Sequence, residues 1–216
     1  MSTFTPSDVI GRALAIYREH AGALVPAAVV VFAVVAVANL VLTGVLSIVA
    51  SAIGLIATIF YQGMVVRLVD DVRDGTLDSS VEALFKSVAP VALTLFLLSL
   101  VVGISVAIGL ILLIVPGLFL LTIWAVSAPA VVLEGKGVLD ALGRSRELVK
   151  GNGWNVFGVI VLVWLLMIGL GLVAAAIGAV GGDVVRVLAT WVVNVLVAPL
   201  AALTVSVLFF TLRDGH

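Results

Sequence analysis

Charged residues vanish from long stretches of this chain and return in short clusters. No Asp, Glu, Lys or Arg occurs between Glu19 and Arg67, or between Lys86 and Glu134, and each gap is 47 residues long. Two shorter charge-free runs follow, Gly151 to Gly182 and Val187 to Leu212. A bilayer core of about 30 Å is crossed by about 20 apolar residues of helix. A helix as long as either gap would reach about 70 Å at 1.5 Å per residue. Each long gap must therefore fold back on itself, and each later run supplies one span. The pattern predicts an all-α, polytopic membrane protein with six transmembrane helices arranged as three hairpins.

The spans are expected near Leu24–Thr43, Val45–Val66, Ala89–Leu113, Leu118–Leu133, Val156–Ala179 and Val187–Leu212. Gly44 is the best breaker in the first hairpin. In the second, Val115-Pro116-Gly117-Leu118 reads as a type II turn, with Pro and Gly at its central positions. The stretch from Gly103 to Gly109 is the alternative turn.

Short amphipathic segments lead into the hairpins. Ser79 with Glu82 is a capping-box pattern, and Gly137 with Asp140 has the same spacing before Ala141-Leu142. Thr5-Pro6-Ser7-Asp8 repeats the logic, with Pro at the first helical position. Helical stripes follow each start: Ile10, Ala13, Leu14, Tyr17 and Ala21; then Val81, Leu84, Phe85 and Val88; then Val138, Ala141, Leu142, Leu148 and Val149. The reading is one integral membrane domain, 1–216, built from three units of a cytoplasmic amphipathic helix plus a hairpin, at about 5–66, 79–133 and 137–212. Any linker between hairpins also looks amphipathic, so an unrepeated arrangement stays open.

Composition agrees with this class. The chain is 63% hydrophobic and 11% charged, with mean hydropathy +1.39, against about 25% charged residues in soluble domains. Placing the N-terminus inside puts ten Lys and Arg on the cytoplasmic side and only Arg186 outside, a strong positive-inside bias. Both termini are thus expected in the cytoplasm, with the protein in a bacterial plasma membrane. No cleavable leader is expected, because the first 20 or so residues lack a basic start and a short apolar core. The chain contains no cysteine, which excludes disulfides, thiolate catalysis and cysteine metal sites.

Candidate chemistry is sparse. No ionisable residue falls deep within a span, which argues against a carboxylate relay for protons or ions. Asn39, Gln62 and Asn194 are the intramembrane amides, suited to hydrogen bonds between helices or to contact with a solute. Lys136, Arg144, Arg146 and Lys150 cluster at the third amphipathic segment, among Glu134, Asp140 and Glu147. Arg144 and Arg146 suit bidentate contact with phosphate headgroups, and Arg67 is placed to pair with Glu134. Trp154 is the better interfacial anchor of Trp154 and Trp164, while Trp124 and Trp191 read as core or lipid-facing aromatics. Asp70-Asp71-Val-Arg-Asp74 matches a D-D-x-x-D string that can hold Mg²⁺, but a solvated loop fits it better. No catalytic residue, metal site or cofactor is assigned. Expected partners are membrane lipids and other membrane proteins, and no nucleic acid.

The run Ile114-Val-Pro-Gly-Leu-Phe-Leu-Leu, then Pro129-Ala-Val-Val-Leu-Glu134-Gly, then Ala141-Leu-Gly-Arg144-Ser-Arg-Glu-Leu-Val-Lys150-Gly-Asn-Gly-Trp154 carries a resemblance. It resembles the membrane domain of some bacterial glycerophosphodiester phosphodiesterases. It is similar also to the six-span bacterial membrane families UPF0259 and DUF975. The resemblance implies an architecture and little chemistry. Catalysis in those phosphodiesterases belongs to a separate soluble barrel with His and acidic metal ligands, while this chain has only His20 and His216. Phosphodiesterase activity is therefore not carried over. The function read from the sequence is a non-enzymatic inner-membrane scaffold or lipid-contacting subunit. A transporter or flippase of a small or lipid-like solute is the alternative, and an Mg²⁺-dependent enzyme at Asp70, Asp71 and Asp74 ranks third.

Overall fold

The computed structural model describes residues 4–74 and 81–215, and every element among them is helical. In chain order the helices are α1 (Pro6–Val41), α2 (Ser47–Arg73), α3 (Val81–Val88), α4 (Ala92–Leu112), α5 (Ile114–Ile123), α6 (Ser127–Glu134), α7 (Val138–Val149) and α8 (Gly153–Asp214). Among the described residues five segments are long and apolar enough to cross a membrane: Pro6–Val41, Gly44–Arg73, Lys86–Leu112, Ile114–Glu134 and Gly153–Asp214.

The leading amphipathic segment and the first span form one helix. Thr5 caps it: its hydroxyl accepts from the Asp8 N–H, the Asp8 carboxylate takes the Thr5 N–H at 3.0 Å, and Pro6 stands in the first turn. A kink at His20 (φ −110°, ψ 16°) separates the two parts, and the His20 ring bonds the Ile16 carbonyl at 3.2 Å. Leading helix and span are therefore continuous, redirected by one residue. The Ser79–Glu82 capping box lies outside the described residues, as do the side chains of Val81, Leu84 and Phe85. Gly137 precedes α7 without a side-chain cap, while Asp140 sits in its first turn.

Gly44, with φ 62°, lies in the stretch between α1 and α2, at the position expected for the breaker of the first hairpin. The second hairpin differs. It reverses at Leu113, the single extended residue between α4 and α5. Pro116 then lies in the first turn of α5, where its missing N–H is one that no helical partner would use. Gly117 is a packing residue instead of a turn residue: a methyl on Gly109 would lie 2.9 Å from Gly117 Cα. The expected fourth span, Leu118–Leu133, is broken at Trp124–Val126 into α5 and α6.

Helix α8 has 62 residues and one non-helical position, Gly182, with φ 80° and ψ −174°. A methyl on Gly178 would sit 2.5 Å from Arg186 Cβ. Residues eight apart on a straight helix are separated by about 12 Å, so the chain doubles back at Gly182.

Helix α1 packs chiefly on α8 and α2, with α4 against α5 and α7 against α6. The core is uneven along the bundle. Buried residues concentrate towards the charged ends, as in Tyr61–Val66 of α2, Ala130–Val132 of α6 and Leu203–Phe210 of α8. The hairpin ends carry Val45, Ile111, Leu113 and Val180 exposed. Within the core, the Tyr61 hydroxyl donates to the Leu24 carbonyl at 3.2 Å and its ring meets Phe32 at 5.6 Å, joining α1 to α2.

Candidate functional site

The charged end of the bundle is where chemistry-bearing side chains converge. Its most ordered part is the joint between α6 and α7. The face Ala141, Leu142, Ser145, Leu148 and Val149 is buried, because these positions recur at helical spacing. It docks against the break in the fourth span. Ser145 is fully buried; its hydroxyl donates to the Ile123 carbonyl at 2.9 Å and accepts from the Val126 N–H at 3.2 Å. Both are backbone groups left over where α5 stops and α6 starts. One serine thus supplies the bonds that the break removes, which gives the Ala-Leu-x-x-Ser motif a structural reason.

The ion pairs differ from the sequence expectation. Glu134 accepts from Arg144 Nε at 3.2 Å on both oxygens and lies 3.8 Å from Lys136. The tight turn through Gly135, at φ 63°, brings Arg144 over the end of α6. Arg144 also approaches Glu147 at 3.7 Å. Arg67 does not pair with Glu134: it has no ion pair within 4 Å among the described residues, and its Nε is buried without a partner. Helix α7 reaches Glu134 first, because it is joined to α6 by three residues.

That pairing sorts the basic cluster. Lys136 and Arg144 are engaged by Glu134, whereas Arg146 and Lys150 are exposed with no ion pair within 4 Å among the described residues. With Leu139 and Gly143 they recur at helical spacing, on one outward face. Leu139 is 78% exposed on that face, and Trp154, just beyond it, is 86% exposed.

A second feature of the same end escaped sequence reading. An open cleft of about 640 Å³ lies between the start of α1 and the ends of α2 and α8. Asp8, Arg12, Arg73 and Asp214 supply its charges, and Phe4, Val69, Val207 and Phe210 part of its apolar lining. Arg73 donates to Asp214 at 2.6 Å and its guanidinium lies 4.1 Å from the centre of the Phe210 ring; Arg213 approaches the same ring at 4.7 Å. The bond from Arg73 holds Asp214 below the usual carboxylate range, and the Thr5 hydroxyl does the same for Asp8. Both acids lie outside the expected spans. These residues come from three distant segments, so no spacing announces them. The only hint is the run Phe209-Phe-Thr-Leu-Arg-Asp214, aromatic then charged.

The remaining candidates do not gather into a site. Asn39 is exposed near the end of α1 and donates to Val35 of its own helix at 2.8 Å. Asn194 is half-buried on α8. Gln62 lines a small pocket of about 10 Å³ with Ser99, Ala128 and Val132, room for about one water. Burial pushes the Asp70 carboxyl up, and the neighbouring charge of Asp74 adds to this. Among the described residues no three acids or histidines converge as a metal site.

Comparison with known proteins supplies the context. Residues 27–202 match an uncharacterised protein family, UPF0259. A UPF0259 membrane protein of Pectobacterium carotovorum subsp. carotovorum (strain PC1) is 30% identical over 112 residues. That alignment covers 52% of this chain and 44% of the relative, so the chain matches less than half of the relative's length. No solved structure matches.

Proposed function

The chain belongs to UPF0259, an uncharacterised membrane protein family, and from that premise we propose a non-catalytic, lipid-contacting protein of the bacterial inner membrane. It crosses six times, with the break at Gly182 dividing α8 into two crossings and both termini in the cytoplasm. Its charged rim lies in the cytoplasmic headgroup layer, where α7 rests on the membrane surface and holds anionic phospholipid.

The observation that carries this reading is the outward face of α7. Among the described residues Arg146 and Lys150 have no carboxylate partner, while Leu139 and Trp154 project apolar surface beside them. Basic groups beside exposed apolar and indole side chains match the headgroup boundary. Each such cation near an anionic leaflet is worth about 1 kcal/mol.

The test is native mass spectrometry of the protein released from nanodiscs of mixed phosphatidylethanolamine and phosphatidylglycerol. Arg146→Glu with Lys150→Glu should lower phosphatidylglycerol retention by about thirtyfold, as two lost contacts of this size allow. Unchanged retention would overturn the reading. Topology is checked separately. Because the chain has no cysteine, single cysteines at Asp183 and Lys136 can be labelled cleanly with an impermeant maleimide. Asp183→Cys should label in cells with a permeabilised outer membrane, and Lys136→Cys only after lysis; the reverse would refute the orientation.

A further inference from the structure

The cleft at the start of α1 differs in chemistry from the α7 face. Its four charged lining residues, Asp8, Arg12, Arg73 and Asp214, balance to zero. An anion entering it meets two carboxylates as well as two guanidiniums, and a cation meets the converse. A dipolar ligand satisfies both sets. The guanidiniums are not equivalent. Arg73 is held by Asp214 and by the face of Phe210, whereas Arg12 is exposed and makes no ion pair within 4 Å among the described residues. A free guanidinium suits the two oxygens of a phosphate. The lining also includes buried Val69, Val207 and Phe210, at the ends of helices that enter the apolar spans. At about 640 Å³ the cleft falls within the range of small-molecule sites, about 300–1,000 Å³.

We propose that this cleft seats the headgroup of a zwitterionic phospholipid of the cytoplasmic leaflet. The phosphate lies on Arg12, the ammonium faces the carboxylates of Asp214 and Asp8, and the glycerol end runs along Val69 and Val207. The proposal rests on the membrane placement above, but not on anionic lipid binding at α7.

Native mass spectrometry of the full chain, equilibrated with equal amounts of phosphatidylethanolamine and phosphatidylglycerol, tests it. With the α7 face silenced by Arg146→Glu and Lys150→Glu, the protein should retain phosphatidylethanolamine at least about fivefold more strongly, a difference of about 1 kcal/mol. Arg12→Gln should lower phosphatidylethanolamine retention by about fivefold, because the phosphate it holds is common to both lipids, and Asp214→Asn should remove the preference. Ala15→Trp should remove it too, by filling the cleft from an exposed position that lines it. Cooperative melting followed by tryptophan fluorescence confirms that each variant is folded, and if Arg12→Gln fails to fold, Ala15→Trp carries the test. Arg146→Glu with Lys150→Glu should leave phosphatidylethanolamine retention unchanged, so the two lipid readings fail separately. Equal retention of the two lipids by the protein with its α7 face silenced would overturn the proposal. So would full preference in folded Ala15→Trp, or free phosphoethanolamine binding as tightly as the lipid.

Discussion

Ser145→Ala should destabilise the protein far more than loss of one hydroxyl suggests. Ser145 has no exposed surface, and its oxygen serves two backbone groups at the α5–α6 break, the Ile123 carbonyl and the Val126 N–H. Helical partners do not replace it there, because the chain leaves helical geometry at Trp124–Val126. Each buried polar group left without a partner costs about 1–3 kcal/mol, so the variant should lose about 2–5 kcal/mol. For a chain of this size 1 kcal/mol moves Tm by about 2–4 °C, which gives a drop of about 5–15 °C. Tryptophan fluorescence is the suitable assay, since Trp124 sits at the break itself and there is no cysteine for thiol dyes. Ser99→Ala is the control. The Ser99 hydroxyl donates to Leu95 of its own helix, and that carbonyl keeps its helical partner, so the change should stay within about 0.5 kcal/mol. If Ser145→Ala melted within about 2 °C of the wild type, the serine would not be holding the break, and the account of the motif would be wrong.

Two further outcomes follow from the geometry. Gly182→Ala should cost about 1–3 kcal/mol, because φ 80° with ψ −174° is a region essentially reserved for glycine; a melting curve matching the wild type would show that the reversal is made elsewhere. Glu134→Ala should cost about 1–2 kcal/mol and Glu147→Ala less than about 0.5, since the Glu134 side chain is 20% exposed and meets Arg144 and Lys136, while Glu147 is 74% exposed; equal shifts in urea or SDS unfolding would refute this ranking.

Several features were legible from the chain alone, each for a local reason. Thr5, Pro6 and Asp8 announce a capped helix because all the groups involved lie within four residues. Gly44 announces a turn because a positive φ favours it. The Pro116-Gly117 pair misled, because proline in a first turn and proline in a reversal read alike; only the packing of Gly117 on Gly109 separates them. Ser145 gave no sign of its role, as its partners are 19 and 22 residues away.

The sequence by itself determined the class of the protein. Two charge-free gaps of 47 residues cannot be buried in a chain with 11% charged residues except by lipid, and transfer of apolar surface depends on composition, not on partners. Charge placement along the chain likewise confines nearly all ionisable groups to a few short clusters. The tertiary structure decided which of those groups meet. Glu134 takes Arg144 and leaves Arg67 aside; Arg146 and Lys150 stay outward; Asp8, Arg12, Arg73 and Asp214 close round one cleft. Pairing of charges is set by distances of a few ångströms between segments far apart in sequence. Those distances exist only once α7 has docked on α6 and α1, α2 and α8 have packed together.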